Sequence, residues 1–155
     1  MQAALKAPVY QCVMPVDFFE MGIGSIFFSR RLPGGDLVTA VFLVDVLCLG
    51  VKDCFIRITS TTELEQQLAS QPQDYQPVSP ECAGKLVLGA VAFARGLGLP
   101  PHKDYAKVVE IFADLDAEAC ESSFEYGSNG RPVFIPGPND GPGLIRRVNK
   151  ALEAS

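Results

Sequence analysis

The stretch Val38–Val46, VTAVFLVDV, decides the fold of this chain, because it is almost entirely apolar and carries a single acid, Asp45. An apolar run rich in β-branched and aromatic residues predicts a strand that is buried on both faces. A carboxylate at the end of such a strand must be hydrogen-bonded, ligated or functional, because burying an unpaired charge is costly. We therefore expect a site beside Asp45.

The residues before this stretch predict that it is the second arm of an antiparallel hairpin. Ser25–Leu32 is a strand of similar character, and Pro33–Asp36 is a turn sequence, since proline presets φ and glycine accepts positive φ. With those four residues as the loop, Gly24 faces Asp45 and leaves space for a ligand or water. Both faces of the hairpin are apolar, so we expect helices or a second copy of the chain to cover them.

The remaining elements predict a single α+β domain over residues 1–155. The sheet is expected to be mainly antiparallel with four to six strands, and helices are expected to pack against it. An RNase-H-like arrangement is one topology that begins with such a meander. Besides the hairpin, we expect a strand at 9–13, a strand or short helix at 54–58, helices at 62–68, 80–97, 103–112 and 144–152, and an Asn-Gly hairpin at 124–135.

Composition and charge bear on location and partners. Hydrophobic residues make up 48% of the chain and charged residues 20%, which raises the expectation of a homodimer or another protein partner. The net charge of -5 argues against a general affinity for nucleic acid or an anionic membrane, and the pairs Arg30-Arg31 and Arg146-Arg147 are expected to be solvated. No export signal or membrane-length apolar run is visible, so we expect a cytoplasmic protein with five reduced cysteines.

Asp45 and Asp53 are the candidate metal ligands, and they flank the segment Cys48–Lys52. Two carboxylates brought together can hold Mg²⁺ or Mn²⁺, and Lys52 beside them could bind a phosphate. The alternative is that Asp45 accepts backbone N–H groups at the end of its strand, while Lys52 and Asp53 stabilise a turn. We favour this alternative.

Cys48 is a candidate nucleophile and His102 a candidate acid–base group. A cysteine nucleophile needs a base or a positive field, and Lys52 is the only nearby candidate, so we favour a packed thiol. His102 is the only histidine, and an imidazole is a common acid–base group, but its position just before a helix favours a capping or structural role. Further candidate residues are Asp104, Asp116, Asn139 and Asp140, the last two in a Pro- and Gly-rich loop that is either a lid or a connector.

Several of these segments resemble a family of uncharacterised bacterial proteins with a VFLVDVxCLGVKD-type motif. The resemblance is carried by 22–25, 29–33, 41–46, 48–53, 98–105, 112–116 and 137–140. Some members carry an added zinc-binding SEC-C motif, which this chain lacks. The resemblance implies no known activity, but it strengthens five candidates: Asp45, Lys52, Asp53, His102 and Asp104.

Two functions remain. The first is a small cytosolic binding or assembly module, which the apolar composition, the acidic charge and the missing catalytic dyad favour. The second is a divalent-metal-dependent hydrolase acting on phosphodiesters. In that hypothesis Asp45 and Asp53 hold the metal, Lys52 binds phosphate and His102 transfers a proton. It predicts that Asp45, Asp53 and a third acid converge within about 5 Å around one cleft.

Overall fold

The sheet is antiparallel and has five strands in the order β4-β3-β2-β1-β5. The computed structural model describes residues 5–113, 115–137 and 140–154. The strands are β1 (Val9–Pro15), β2 (Ile23–Arg31), β3 (Leu37–Asp45), β4 (Gly50–Thr59) and β5 (Tyr75–Pro77). The helices are α1 (Phe18–Met21), α2 (Thr61–Ala69), α3 (Pro80–Gly96), α4 (Tyr105–Val108) and α5 (Pro142–Ala154), with 3₁₀ turns at Val109–Phe112 and Ala117–Ala119. The predicted α+β class with a mainly antiparallel sheet is confirmed.

The decisive stretch forms β3, which is hydrogen-bonded on both sides, to β2 and to β4. Every residue of β3 except Leu43 is buried, as expected for an interior strand. The antiparallel meander that suggested an RNase-H-like topology is present and runs through β4. The chain then returns after α2, and β5 pairs antiparallel with β1 at the opposite edge of the sheet.

The loop between β2 and β3 is shorter than predicted, and the register therefore differs by one residue. Arg31 pairs with Leu37, and the Leu32 N–H donates to the carbonyl of Asp36 at 2.8 Å. The loop proper is Pro33–Gly35, whose two glycines both adopt positive φ. A three-residue loop with a left-handed glycine is a common way to close such a hairpin.

This shift corrects the expected surroundings of Asp45, because moving a register by one residue exchanges the two faces of a strand. Asp45 pairs with Ile23 on one side and not with Gly24. The space beside Gly24 is filled, since a Cβ atom added there would lie 2.9 Å from Cγ of Pro15 and 3.0 Å from Cδ2 of Phe18. The prediction that Gly24 faces Asp45 and leaves space there was wrong.

Helices cover both faces of the hairpin, as predicted, but unequally. Helix α3 buries a stripe of residues from Ala83 to Ala94 against the face that carries Phe42, and Phe112 stacks on Phe42 with ring centroids 5.2 Å apart. On the other face, Leu64 of α2 packs on a smaller cluster that includes Val41. Further along that face the cover ends, because Leu43 is only partly buried and Phe55 is 39% exposed.

The helix starts follow their local signals. Ser60 accepts a hydrogen bond from the Glu63 N–H while the Glu63 carboxylate accepts from the Ser60 N–H, which is a capping box for α2. Ser79 caps α3 through the Cys82 N–H, with Pro80 in the first turn. The helix predicted at 103–112 is instead the short α4 followed by a 3₁₀ turn.

The Asn-Gly hairpin was predicted correctly as a turn and wrongly as two strands. Asn129 and Gly130 both have positive φ, and Ser128 and Arg131 form an isolated antiparallel bridge around them. The flanking residues hydrogen-bond to the segment after β3 and not to each other: the N–H of residue 127 donates to the carbonyl of residue 46, and that of residue 133 to the carbonyl of residue 47. The carbonyls of the segment after β3 therefore accept the hydrogen bonds that the two hairpin arms would have exchanged with each other.

The expectation of five reduced cysteines is corrected by a long-range pairing. Cys82 and Cys120 form a disulfide that joins the first turn of α3 to the residue after the second 3₁₀ turn, whereas Cys12, Cys48 and Cys54 are buried free thiols. Disulfides persist mainly in oxidising compartments, so this pair argues against the cytoplasmic location, which stays a prediction. Within the described part of the chain, no helix is long and apolar enough to cross a membrane.

Arg30 is buried, whereas the sequence predicted a solvated side chain. Its guanidinium donates to the carbonyl oxygens of Ala7 at 2.7 Å, of Ile111 at 2.9 Å and of Phe112 at 3.4 Å. The last two carbonyls belong to the 3₁₀ turn that follows α4. A buried guanidinium satisfies several carbonyls at once because its donors are held in a fixed planar fork. Arg30 therefore ties β2 to two distant segments.

Candidate functional site

A cleft of about 700 Å³ lies at the C-terminal end of β3 and brings together most of the predicted site residues. Five of them line it: Asp45, Lys52, Asp53, His102 and Asp140. The apolar part of the lining includes Met21, Ile23, Leu43, Leu47, Val133 and Ile135. A second cavity of about 210 Å³ shares Lys52, His102 and Asp140 with the first. These three residues therefore separate the two spaces.

Asp45 is buried, and each of its carboxylate oxygens accepts a backbone hydrogen bond. Oδ1 accepts from the Leu47 N–H at 2.9 Å, and Oδ2 accepts from the Leu49 N–H at 3.2 Å. Burial raises the pKa of Asp45 above its ordinary value, and the backbone donors and Lys52 only partly oppose this. The geometry agrees with the interpretation we favoured, in which Asp45 stabilises the turn after its strand.

Lys52 forms an ion pair with Asp140, whose Oδ2 lies 3.1 Å from Nζ. The two side chains are only 16% and 8% exposed, so water screens the pair weakly. The same oxygen of Asp140 accepts the Gly137 N–H at 2.7 Å. That hydrogen bond, followed by the charge of Lys52, lowers the pKa of the Asp140 carboxyl. Lys52 is thus engaged in holding the segment that leads into α5.

His102 connects the edge of β4 to α4. Its backbone N–H donates to the carbonyl of Val51 at 2.9 Å, and its Nδ1 accepts the Asp104 N–H at 3.1 Å. In the neutral ring the proton must then lie on Nε2, which is 3.5 Å from Oδ1 of Asp53. The side chain of Asp53 is 60% exposed, and its Oδ1 also accepts the Cys54 N–H. The ring accepts the N–H of the residue that precedes α4, which favours a structural role for His102.

The remaining candidates that the structure describes, Cys48, Asp104 and Asp116, do not line the cleft. Cys48 is fully buried, and burial, followed by the nearby charge of Asp45, raises the pKa of its thiol to about 11. A thiol in that state is not a nucleophile near neutral pH. Asp116 caps the second 3₁₀ turn through the Glu118 N–H at 3.0 Å and does not line the cleft. The carboxylate oxygen Oδ2 of Asp104 lies 3.8 Å from Nδ1 of His102. Asn139 lies outside the described residues.

One wall of the cleft was missed by the sequence analysis. Val133, Ile135, Pro136 and Gly137 line it, with Ile135 68% exposed. The Val133 N–H donates to the carbonyl of Leu47 at 2.9 Å. This run was predicted as the second arm of a local hairpin. The apolar triplet at 133–135 was the available signal, but nothing in it indicates that its partner lies more than eighty residues earlier.

The donor set for a divalent cation is incomplete. Among the residues that the structure describes, no three His, Cys, Asp or Glu side chains stand close enough together to hold a metal ion. Asp45, Asp53 and Asp140 line one cleft, but lining it is less than the close convergence that the hydrolase hypothesis requires. However, the oxygens of Asp45 face backbone N–H groups, and Asp140 faces Lys52. The Asp45–Asp53 metal pair stays a prediction that these contacts disfavour.

No protein-family model, no curated protein and no solved structure matches this chain. The resemblance to a family of uncharacterised bacterial proteins therefore stays a prediction. The geometry of the cleft is the basis for a functional proposal.

Proposed function

We propose that this protein is a binding module whose cleft takes an apolar group that carries a positive charge, such as an alkylammonium group. The observation that carries the proposal is the composition of the cleft, which combines an apolar wall with an excess of carboxylates. Concave sites with apolar walls and a few convergent polar groups are the usual form of a ligand site.

The apolar wall supports an apolar ligand body. Met21 and Ile135 both line the cleft and are more than half exposed, which is unusual for large apolar side chains. Leu43 adds a partly exposed surface from the sheet. Burying such side chains under a ligand releases the water that covers them and is favourable in proportion to the apolar area removed from water.

The charges support a cationic ligand end. Three carboxylates and one ammonium group line the cleft, and that ammonium group, on Lys52, is already paired with Asp140. Asp53 carries the accessible carboxylate, since its side chain is 60% exposed. A ligand cation next to Asp53 gains attraction that is not offset by full desolvation of either charge.

The same features favour binding over phosphodiester hydrolysis. An anionic substrate would meet an excess of carboxylates, and the lysine assigned to phosphate binding is held by Asp140. These contacts favour a binding role, because Asp45 and Lys52 are already engaged by other groups of the chain.

The test is calorimetric titration with three ligands of equal length: hexylammonium, hexanol and hexanoate. We expect hexylammonium to bind about fivefold or more tightly than hexanol, hexanoate to bind weakest, and the difference to shrink at high salt. Asp53→Asn should abolish the preference, while Asp36→Asn, an exposed acid in the β2–β3 loop, should leave it unchanged. Titration with acetyl-Leu-Lys-Leu-amide distinguishes a peptide side chain from a free amine. Equal binding of hexanoate and hexylammonium would overturn the proposal.

Titration with Mn²⁺ and Mg²⁺ tests the hydrolase alternative directly. We expect no saturable heat with the wild-type protein, because no three metal-ligating side chains converge among the described residues. Saturable Mn²⁺ binding that is lost in both Asp45→Asn and Asp53→Asn, but retained in Asp36→Asn, would favour the hydrolase.

A further inference from the structure

The outer edge of β4 carries backbone groups that point away from the sheet, and the hydrogen bonds of its neighbours show which ones. At the two ends of the β2–β3 ladder, the Leu32 N–H donates to Asp36 and the Val46 N–H donates to Gly22. Backbone groups alternate in direction along an antiparallel strand. The N–H and C=O groups of the even-numbered residues of β3 therefore point toward β2, and those of the odd-numbered residues point toward β4.

The pairs between β3 and β4 then orient β4. Leu43 pairs with Asp53, so the backbone groups of residues 53, 55, 57 and 59 face β3. Those of Cys54, Ile56 and Ile58 must face outward. Two contacts agree with this. The Cys54 N–H donates to the carboxylate of its neighbour Asp53. The β3–β4 register shifts at Lys52, and beyond that shift the Val51 carbonyl accepts from the His102 N–H.

Beyond Cys54 this edge is open. Within the described ranges, no hydrogen bond reaches the outward backbone groups of Ile56 or Ile58. The side chains of Phe55 and Ile58 are 39% and 52% exposed, on opposite faces of the strand. A long edge strand with unpaired backbone groups and exposed apolar side chains is a template for pairing with another chain.

We infer that a second copy of this chain pairs with β4, edge to edge and antiparallel, with the two-fold axis at Phe55. In this register Cys54 exchanges backbone hydrogen bonds with Ile56 of the second copy, and its N–H gives up the Asp53 carboxylate to which it donates in the single chain. Asp53 lies directly opposite Arg57 of the second copy, twice by symmetry. Both charged pairs fall at positions without backbone hydrogen bonds, where opposing side chains are closest.

Charge complementarity selects this register over its neighbours. An axis at Ile56 would set Arg57 opposite Phe55 and leave Asp53 opposite Thr59. An axis at Arg57 would set the two arginines against each other, which is repulsive. Of these three registers, only the one with its axis at Phe55 places Asp53 opposite Arg57 and sets the two Phe55 rings opposite each other. The run from residue 53 to residue 57, DCFIR, is therefore self-complementary in charge.

The surroundings limit the pairing to about five residues from each copy. At one end His102 already occupies the edge at Val51, and at the other end Ser60 turns the chain into α2. The dimer would then have a continuous ten-stranded sheet, with the two β4 strands side by side at its centre. Because Asp53 also lines the cleft, the second copy's Arg57 and a cationic ligand compete for it, although the dimer does not depend on such a ligand.

Sedimentation equilibrium of the full chain, without ligand and over a hundredfold concentration range, tests the pairing. We expect a reversible dimer whose dissociation constant rises about tenfold or more in Asp53→Arg and in Arg57→Asp, because like charges then face each other. The double variant, with both charges exchanged, should return to within about threefold of wild type. Glu65→Arg, a charge reversal on the exposed surface of α2, should have no effect.

Ile56→Pro provides an independent test, because proline removes a backbone N–H that points outward and is not part of the β3–β4 ladder. We expect it to abolish the dimer while circular dichroism shows an unchanged sheet. A wild-type protein that stays monomeric at the highest concentration would overturn the inference. So would a dimer that survives Ile56→Pro, or single charge reversals that the double variant does not rescue. None of these results depends on whether hexylammonium binds the cleft.

Discussion

The ammonium group of Lys52 lies 3.1 Å from the carboxylate of Asp140, and this pair joins an edge strand to a helix that begins ninety residues later. Val148 of that helix packs with Cys48 and Leu99 in a small apolar cluster separate from the main core. The position of α5 therefore depends on a shielded ion pair and a limited apolar contact. Removing either should loosen it.

Asp140→Asn should lower the free energy of unfolding by about 1–3 kcal/mol, since it leaves the ammonium group of Lys52 poorly exposed and without its counter-charge. The lowered pKa of Asp140 fixes the pH dependence. The stability it contributes is fully present above the ordinary aspartate pKa and is lost as pH falls through the lower folded-state value. Urea unfolding between pH 2 and 7 measures both the loss of unfolding free energy and its dependence on pH, with Asp36→Asn as control. A change no larger than that of the control would show that the pair does not stabilise α5.

Asp45 should have the opposite pH dependence. Its folded-state pKa is raised, so the folded state binds the proton more tightly, and stability falls as pH rises from the ordinary aspartate pKa through the folded-state value. Asp45→Asn removes this dependence but has one oxygen in place of two, so either the Leu47 or the Leu49 N–H loses its acceptor. We expect a net loss of about 1–2 kcal/mol at pH 7, measured by urea unfolding. A variant whose stability keeps the wild-type slope below neutral pH would contradict this account.

The Cys82–Cys120 disulfide predicts three free thiols in the denatured, unreduced chain, since five cysteines are present and two are paired. Thiol titration in denaturant counts them. Replacing both paired cysteines by serine should destabilise the fold by about 4 kcal/mol, as the loop-entropy relation gives for a separation of 38 residues. Five reactive thiols in protein purified without reductant would mean that the pair is reduced in solution.

Arg30 and Arg31 are adjacent in sequence but should differ sharply on substitution. Arg30→Met leaves three buried carbonyl oxygens, those of Ala7, Ile111 and Phe112, without a charged donor, and we expect a loss of about 2–4 kcal/mol. Arg31 is exposed, with its guanidinium 4.7 Å from the ring centroid of Tyr10, so Arg31→Met should cost about 0.5–1 kcal/mol. Thermal unfolding monitored by circular dichroism compares the two. Equal losses would place Arg30 at the surface.

The predictions from sequence succeeded where a signal is local. The apolar run at 37–45 became an interior strand, and Ser60 and Ser79 became helix caps, because each depends on residues within a few positions. The register of the first hairpin failed by one residue, since a Pro-Gly-Gly-Asp turn can close with either three or four residues in its loop. The difference lies in the φ angles of the two glycines, which the composition of the turn does not specify.

The sequence alone determined the class of fold, the position of its central strand and the need for Asp45 to find partners, because hydrophobic pattern and burial act along the local chain. Tertiary structure decided which distant groups meet. Lys52 with Asp140, Arg30 with Ile111 and Cys82 with Cys120 are separated by 88, 81 and 38 residues. Such pairings depend on how the packed elements bring backbone and side chains together in space, and a residue's identity does not encode its partner.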